Sequence, residues 1–494
     1  MKGTSLVIDR SILSPQPLPT ADLAQLLSEL ETEFSVPADF SPEVLAAAEQ
    51  AVLDLGEPEL DDTNIPFFTI DPLGATDLDQ AMYLERVDTG YLVHYAIADV
   101  PAFVHLGSLL DEISRQRGQT YYLPQRKITL YPPLISEDRG SLLPEQVRRA
   151  FHWKIWLDHE GSLGKVELTR TKIRSRAQLD YEGAQARFDA HDGDAQLKLL
   201  AEIGSARLTQ ERLRGGASLN LPDQEIVPDG QGYKLVSRTP LPLEEFNAQI
   251  SLVTGIGAAR LMLGAGFGIL RTMPAPDPKD QQAFREQTRL LGCPWPQDLS
   301  YGEFLHTLDL GDPRQLVIMH RAASLFRGAD YQIINGQPES ELIQAALAAP
   351  YAHTTAPLRR LIDRFVLLTC HLISTGAPIP DELHTALEQL PELMRASSTA
   401  ANRVSKAAVD LLEAYTMQHR IGEEFEAIVL QASHDATDKD PGNNKTKPGT
   451  LQLMTEPITG SFSGPGQPGT VVTVKLVLAD PKKRKIHFEV VASN

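Results

Sequence analysis

Apolar positions along this chain alternate between helical and strand spacing, and the changes mark out its elements. Near the start, Thr20-Ala-Asp-Leu-Ala-Gln-Leu-Leu-Ser-Glu-Leu sets leucines three or four apart behind a capping threonine, which predicts a helix. Ser41-Pro-Glu-Val-Leu-Ala-Ala-Ala-Glu-Gln-Ala-Val predicts a second, with serine at the N-cap and proline in the first turn. From about Ile65 to Leu157 strand signals take over at Phe67-Phe-Thr-Ile, Tyr91-Leu-Val-His-Tyr-Ala-Ile and Trp153-Lys-Ile-Trp-Leu. Helical spacing returns over 195–215, 241–263, 279–292, 357–376 and 382–415. Beyond Arg420, short apolar runs at 424–430, 470–478 and 485–491 are separated by Gly, Pro, Asn and Lys, and the polar stretch 435–449 reads as a mobile loop. With no regular βαβ alternation the fold class is α+β. Residues 1–60 read as a helical module, of helix-turn-helix or winged-helix type or else a set of helices covering the core. Residues 61–418 read as a mixed sheet with packed helices, and 419–494 as a small OB-type barrel.

Composition changes this picture little. The 494 residues are 42% hydrophobic and 22% charged, an ordinary globular balance. The sequence reading finds no apolar stretch of bilayer-spanning length and no signal-peptide core at the start, so no membrane is expected. Only Cys293 and Cys370 occur, which excludes a disulfide framework and a cysteine-rich zinc site and fits a reducing cytoplasm. The net charge of −19 argues against binding nucleic acid over the whole surface, though it leaves room for a local basic channel.

The richest stretch is Phe67-Phe-Thr-Ile-Asp71-Pro-Leu-Gly-Ala-Thr-Asp77-Leu-Asp79-Gln80. A strand delivers Asp71 at its end, and Asp77 and Asp79 point the same way if the return is extended. Converging carboxylates repel unless a cation neutralises them, and hard oxygen donors without Cys or His select Mg²⁺ or Mn²⁺. Such ions activate water for phosphodiester hydrolysis. A bare spacing of this kind also fits ordinary loop-capping aspartates.

The surroundings decide between these readings. Asp71-Pro-Leu-Gly-Ala-Thr-Asp77-Leu-Asp79-Gln80-Ala81 resembles the RNB signature of the RNase II family, D-P-x-x-A-x-D-x-D-D-A. The resemblance continues in order through His94-Tyr-Ala-Ile-Ala-Asp-Val, Leu110 to Pro124, Ser141-Leu-Leu-Pro, Ile173-Arg-Ser-Arg-Ala-Gln-Leu-Asp-Tyr-Glu and Tyr351-Ala-His-Thr-Thr-Ala-Pro-Leu-Arg-Arg. It implies that Asp71, Asp77, Asp79 and Gln80 hold Mg²⁺, with Mn²⁺ as the alternative, and that Asp79 is the least replaceable. It implies a phosphate contact at Arg359, with Arg360 as backup unless that pair is simply a solvated face. Tyr122 and Tyr181 match tyrosines set against the last bases in the channel, where stacking tolerates any sequence; the bland alternative is half-buried strand tyrosines. Asn247 and Gln249 stand where the family has a substrate-contacting glutamate, or else cap and pack.

This chain also departs from the family pattern. Gln80 replaces a fourth aspartate, Asn402 a glutamate, and Leu219 or Leu221 stands where an aromatic would clamp a base. Lys445, Lys447, Lys482, Lys483, Arg484 and Lys485 form a basic excess suited to a phosphate backbone, or to charged turns. The implied activity is processive 3′→5′ hydrolysis of single-stranded RNA to 5′-nucleoside monophosphates, by a monomer with no protein partner implied. The rivals are an RNA-binding protein on a retired nuclease scaffold and a metal-dependent phosphoesterase acting on small nucleotides.

Overall fold

The structure, a computed structural model, describes residues 21–190, 193–217, 223–229, 232–309, 311–323, 325–432 and 448–493. The expected Thr20 cap, Leu219 and Leu221, Lys445 and Lys447, and most of the 435–449 stretch lie outside these residues.

Six strands form the central sheet: β1 (Leu60–Asp61), β2 (Phe67–Asp71), β3 (Gln80–Val87), β4 (Gly90–Ala98), β5 (Val147–Leu157) and β6 (Leu163–Asp180). Their order is β1-β6-β2-β3-β4-β5. The long β6 first pairs antiparallel with β5, from Leu163 to Arg174, and then parallel with β2, from Ser175 to Asp180. This change of partner curls the sheet back on itself. Trp153, Phe67, Phe151 and Tyr95 are fully buried in the resulting core. At roughly 1.5–3 kcal/mol per buried large apolar side chain, such positions set the register of the sheet.

The helices are α1 (Ala21–Glu33), α2 (Pro42–Leu53), α3 (Leu109–Arg117), α4 (Tyr181–Asp189), α5 (Ala195–Leu213), α6 (Pro242–Ala265), α7 (Pro278–Leu290), α8 (Tyr301–His306), α9 (Pro313–Ala323), α10 (Leu361–Thr375) and α11 (Asp381–Met417). Ser41 caps α2 through the Val44 N–H, and Pro42 opens it, as expected. By length and composition α6 could cross a membrane, contrary to the sequence expectation, because its Gly, Ala and Ser residues dilute its apolar character without breaking it. Here α6 is a core helix, burying Leu243, Ile250, Val253, Ala258, Ala259 and Met262.

The two N-terminal helices do not share a core of their own, as a helix-turn-helix would. Leu23, Leu27 and Leu30 of α1 pack with Val404, Ala408 and Leu411 of α11, whereas Val44 and Ala48 of α2 join the main core. Five further strands, β7 (Glu424–Gln431), β8 (Gly449–Leu453), β9 (Thr459–Ser463), β10 (Val471–Asp480) and β11 (Lys485–Ser493), close a barrel in the order β7-β8-β9-β11-β10. Ala414 and Met417 at the end of α11 enter the barrel's core beside Phe462 and Phe488.

Candidate functional site

Asp71 ends β2, where it pairs in register with Asp180 of β6. The chain then turns through Gly74, at φ +82°, a conformation that costs glycine little. Side chains bonding to its backbone fix the return. Ser141 Oγ, fully buried, accepts from Leu78 N at 2.9 Å and donates to Thr76 O at 2.7 Å, and Gln178 donates to Ala75 O at 2.9 Å. Leu78 and Asp79 are buried and Asp77 is half-buried.

Asp79 is 2% exposed. Its Oδ1 accepts from the Leu358 backbone N–H at 2.7 Å, and Arg359 Nε lies 3.3 Å from its Oδ2. Burial pushes the Asp79 carboxyl well above the usual carboxylate range; Arg359 and the Leu358 N–H oppose that rise, while Asp77 and Asp363 add to it. Two motifs far apart in sequence therefore meet at one carboxylate. The 352–360 segment is itself held in place. Asp363, fully buried in the first turn of α10, accepts from Ala356 N at 2.8 Å and from Arg360 through both carboxylate oxygens.

The expected site residues divide into two groups. Asp71, Asp77, Asp79, Arg359, Tyr122, Tyr181 and Asn247 come together. Tyr122 sits opposite Lys127 in a short ribbon, and Lys127 Nζ contacts Asp77 at 2.8 Å. Tyr181 is not a strand tyrosine: it opens α4, capped by Asp180, one residue past the position paired with Asp71. Its hydroxyl accepts from Asn247 Nδ2 at 3.0 Å, and Asn247 Oδ1 has no hydrogen-bond partner among the described residues.

Arg360 and Gln249 do not join them. Arg360 is a fork on Asp363: burial alone would weaken its hold on the proton, but Asp363 outweighs this and raises its pKa. It orders the segment carrying Arg359, with Nε and Nη2 committed to Asp363. Gln249, 2% exposed, donates to Glu211 of α5 at 2.7 Å, because two residues along a helix carry it about 200° around from Asn247. Gln80 opens β3 and spends its amide N–H on the Thr355 carbonyl, tying the strand to the arginine segment. Asn402 is exposed on α11. Arg484 docks on Glu33 of α1 at 2.7 and 2.8 Å, which takes it out of the basic excess.

Among the described residues no group of three or more His, Cys, Asp or Glu side chains is arranged to hold an ion. The physical reason is visible in the pairing: Lys127 draws Asp77 toward Glu137, and Arg359 covers one oxygen of Asp79. The donors remain hard oxygens with two acceptor directions each, so Asp71, Asp77 and Asp79 have the chemistry of a divalent-ion site, with Lys127 on Asp77 and Arg359 on Asp79.

Sequence reasoning missed Lys127, Glu137, Asp363, Tyr95 and Ser251. The fully buried Tyr95 hydroxyl bonds Ser251 Oγ at 2.7 Å; burial raises its pKa, the Ser251 bond opposes the rise, and the field of Tyr181, Asp71 and Asp79 adds to it. Asn247 and Ser251 stand one helical turn apart on α6, so that face of the helix walls the site. The spacing of Arg360 and Asp363, three apart at a helix start, was the one available signal for the latter.

Residues 60–375 match the RNB domain. The chain belongs to the RNB family. Residues 423–491 match the RNase II-type exonuclease C-terminal S1 domain, which is the barrel. This RNB protein is 30% identical over 426 residues to DIS3-like exonuclease 2 of Arabidopsis thaliana, covering 76% of this chain and 39% of that one. It shows the same identity to a protein named inactive exonuclease DIS3L2 from the same plant. Ribonuclease R of Aquifex aeolicus is 25% identical over 80% of this chain and 59% of its own. The chain thus spans well under two thirds of these relatives' lengths. Among solved structures, Mycoplasma genitalium RNase R in complex with ribose methylated single-stranded RNA superposes with a TM-score of 0.84 at 18% identity, over 95% of this chain and 78% of that one. Yeast Ssd1, a pseudonuclease, superposes at 0.66 and 16% identity, over 91% and 54%. These likenesses show the fold.

Proposed function

We propose that this RNB protein is a 3′→5′ exoribonuclease that hydrolyses single-stranded RNA processively to 5′-nucleoside monophosphates. The observation that carries the reading is the meeting of Asp79 with Leu358 N–H and Arg359. A buried acid, a backbone donor and a guanidinium at one point suit a phosphodiester, whose charge grows as the bond breaks. Arg359, with a quarter of its side chain exposed, binds the phosphate, and Asp79 aims the guanidinium. Tyr122 and Tyr181 flank the strand's last bases, with Asn247 fixing the Tyr181 ring. Asp71 and Asp79 would hold a divalent ion, Mg²⁺ or Mn²⁺, that supplies charge neutralisation and an acidified water. RNA is favoured over a small nucleotide because the barrel otherwise has no role.

The second reading is a retired nuclease that only holds RNA. It draws on the bonding of Gln80 to Thr355 and the cations seated on Asp77 and Asp79, and relatives named inactive show that the family includes such cases. Incubating the protein with 5′-labelled single-stranded RNA and with a dinucleotide tests the proposal. Stepwise shortening of the long RNA supports it; cleavage of the dinucleotide alone favours a small-nucleotide phosphoesterase, and binding without shortening favours the retired scaffold.

A further inference from the structure

The aspartate cluster contains a cation that belongs to the chain itself. Lys127 Nζ lies 2.8 Å from Asp77 Oδ1 and 2.6 Å from Glu137 Oε1, and Thr76 Oγ1 donates to the same Glu137 oxygen at 3.2 Å. The lysine side chain is 22% exposed, Asp77 13% and Glu137 28%, so the group is largely screened from water. Its position is set by backbone: Lys127 faces Tyr122 in the ribbon, and the ribbon is anchored because Thr120 N donates to Arg359 O at 2.9 Å. An ammonium shared by two carboxylates neutralises them as a bound ion would, and it repels a second cation placed beside it.

We propose that Lys127 is a resident cation that withdraws Asp77 from the metal-ligand set and leaves the divalent ion to Asp71 and Asp79. The chain then holds fewer divalent ions than three free carboxylates could recruit. Glu137 matters because it gives Lys127 a second anion to bridge. The proposal rests on the reading above only in taking Asp71 and Asp79 as the metal donors.

The test is a Mn²⁺ titration of the full chain without RNA, followed by electron paramagnetic resonance and calorimetry. Lys127→Met should bind Mn²⁺ about tenfold more tightly or gain an additional ion, whereas Lys127→Arg, which keeps the charge, should titrate like the wild type. Asp77→Asn should leave the wild-type Mn²⁺ affinity within about twofold, which keeps the proposal testable if Lys127→Met fails to fold. Equal titrations of wild type and a folded Lys127→Met would overturn the proposal. So would a tenfold or greater loss in Asp77→Asn, or no Mn²⁺ binding by any of the proteins. RNA hydrolysis is not read in this experiment. The expected Mn²⁺ pattern in a protein that leaves RNA intact would therefore sink the nuclease reading and keep this one.

Discussion

At the scale of single residues, motif spacing picked out the carboxylate and guanidinium that meet at Asp79, and helix phase decided the rest. Asp71, Asp79 and Arg359 could be read from sequence because their neighbours are as distinctive as they are. Arg360 and Gln249 could not, since a side chain's partner across the fold leaves no mark on its own segment. Arg359→Ala should lower the hydrolysis rate by about 10²–10³-fold with a smaller loss of RNA affinity, as expected for a group that acts mainly on developing charge. Rates and binding constants measured side by side would show it; equal losses in both would assign Arg359 to uniform binding. Gln249→Leu should leave RNA affinity unchanged and lower stability by about 1–3 kcal/mol, because the buried Glu211 loses a donor. Weakened RNA binding in a stably folded Gln249→Leu would return that residue to the interface.

Elements with a single strong period were legible. The strands at Phe67 and Tyr91, the helices α5, α6, α10 and α11, and the barrel strands β7, β10 and β11 fell within a few residues of their expected bounds, whereas β8 and β9 were not expected. The long β6 was not recognised: its outward positions carry Lys, Arg and Glu, and only Leu168, Thr171, Ile173 and Ser175 are buried, so no apolar run announces it. Its register nevertheless places Asp180 beside Asp71 and starts α4 at Tyr181, which makes it central to the site. Helix α6 sets the other wall by close approach. A Cβ at Gly255 would lie 2.2 Å from the Tyr351 ring and 2.6 Å from the Ala352 carbonyl, while Ala352 N donates to Gly255 O at 3.1 Å. Gly255→Ala should therefore destabilise the fold by about 1–3 kcal/mol. It should also slow hydrolysis, since the displaced segment carries Arg359. Thermal melts with single-turnover rates would check both, and an unchanged melting temperature would contradict the packing.

At the scale of the whole molecule, the net charge of −19 and the placement of Arg484 on α1 would confine the proposed RNA contact to a restricted track. Acid should weaken the fold through a buried chain that joins β3, β4 and β5 to the loop after β1. Glu85 faces His94 Nε2 at 3.3 Å, His94 Nδ1 meets His152 Nε2 at 2.9 Å, and His152 Nδ1 meets Asp62 at 2.9 Å, with Lys154 and Thr171 alongside. The hydrogen bond from His152 holds the Asp62 carboxyl below its ordinary 3.8, against the effect of burial. Burial and then His152 hold His94 below 6.5, with Glu85 pulling the other way. In both cases the unfolded chain takes up the proton first, so the stability is present above 6.5 for His94 and above 3.8 for Asp62 and is lost as pH falls. The melting temperature should decline on acidification from pH ~8 to ~5, with a shallower slope in His94→Gln; a rise would contradict the linkage.

The central claim is tested most directly by incubating wild type and Asp79→Asn with 5′-labelled single-stranded RNA, in Mg²⁺ or in EDTA. The account predicts Mg²⁺-dependent shortening to small end products by the wild type, with a loss of at least about 100-fold in the variant and RNA binding largely retained. Intact RNA with wild-type protein under both Mg²⁺ and Mn²⁺, despite tight binding, would contradict it and leave a scaffold that grips RNA without cutting it.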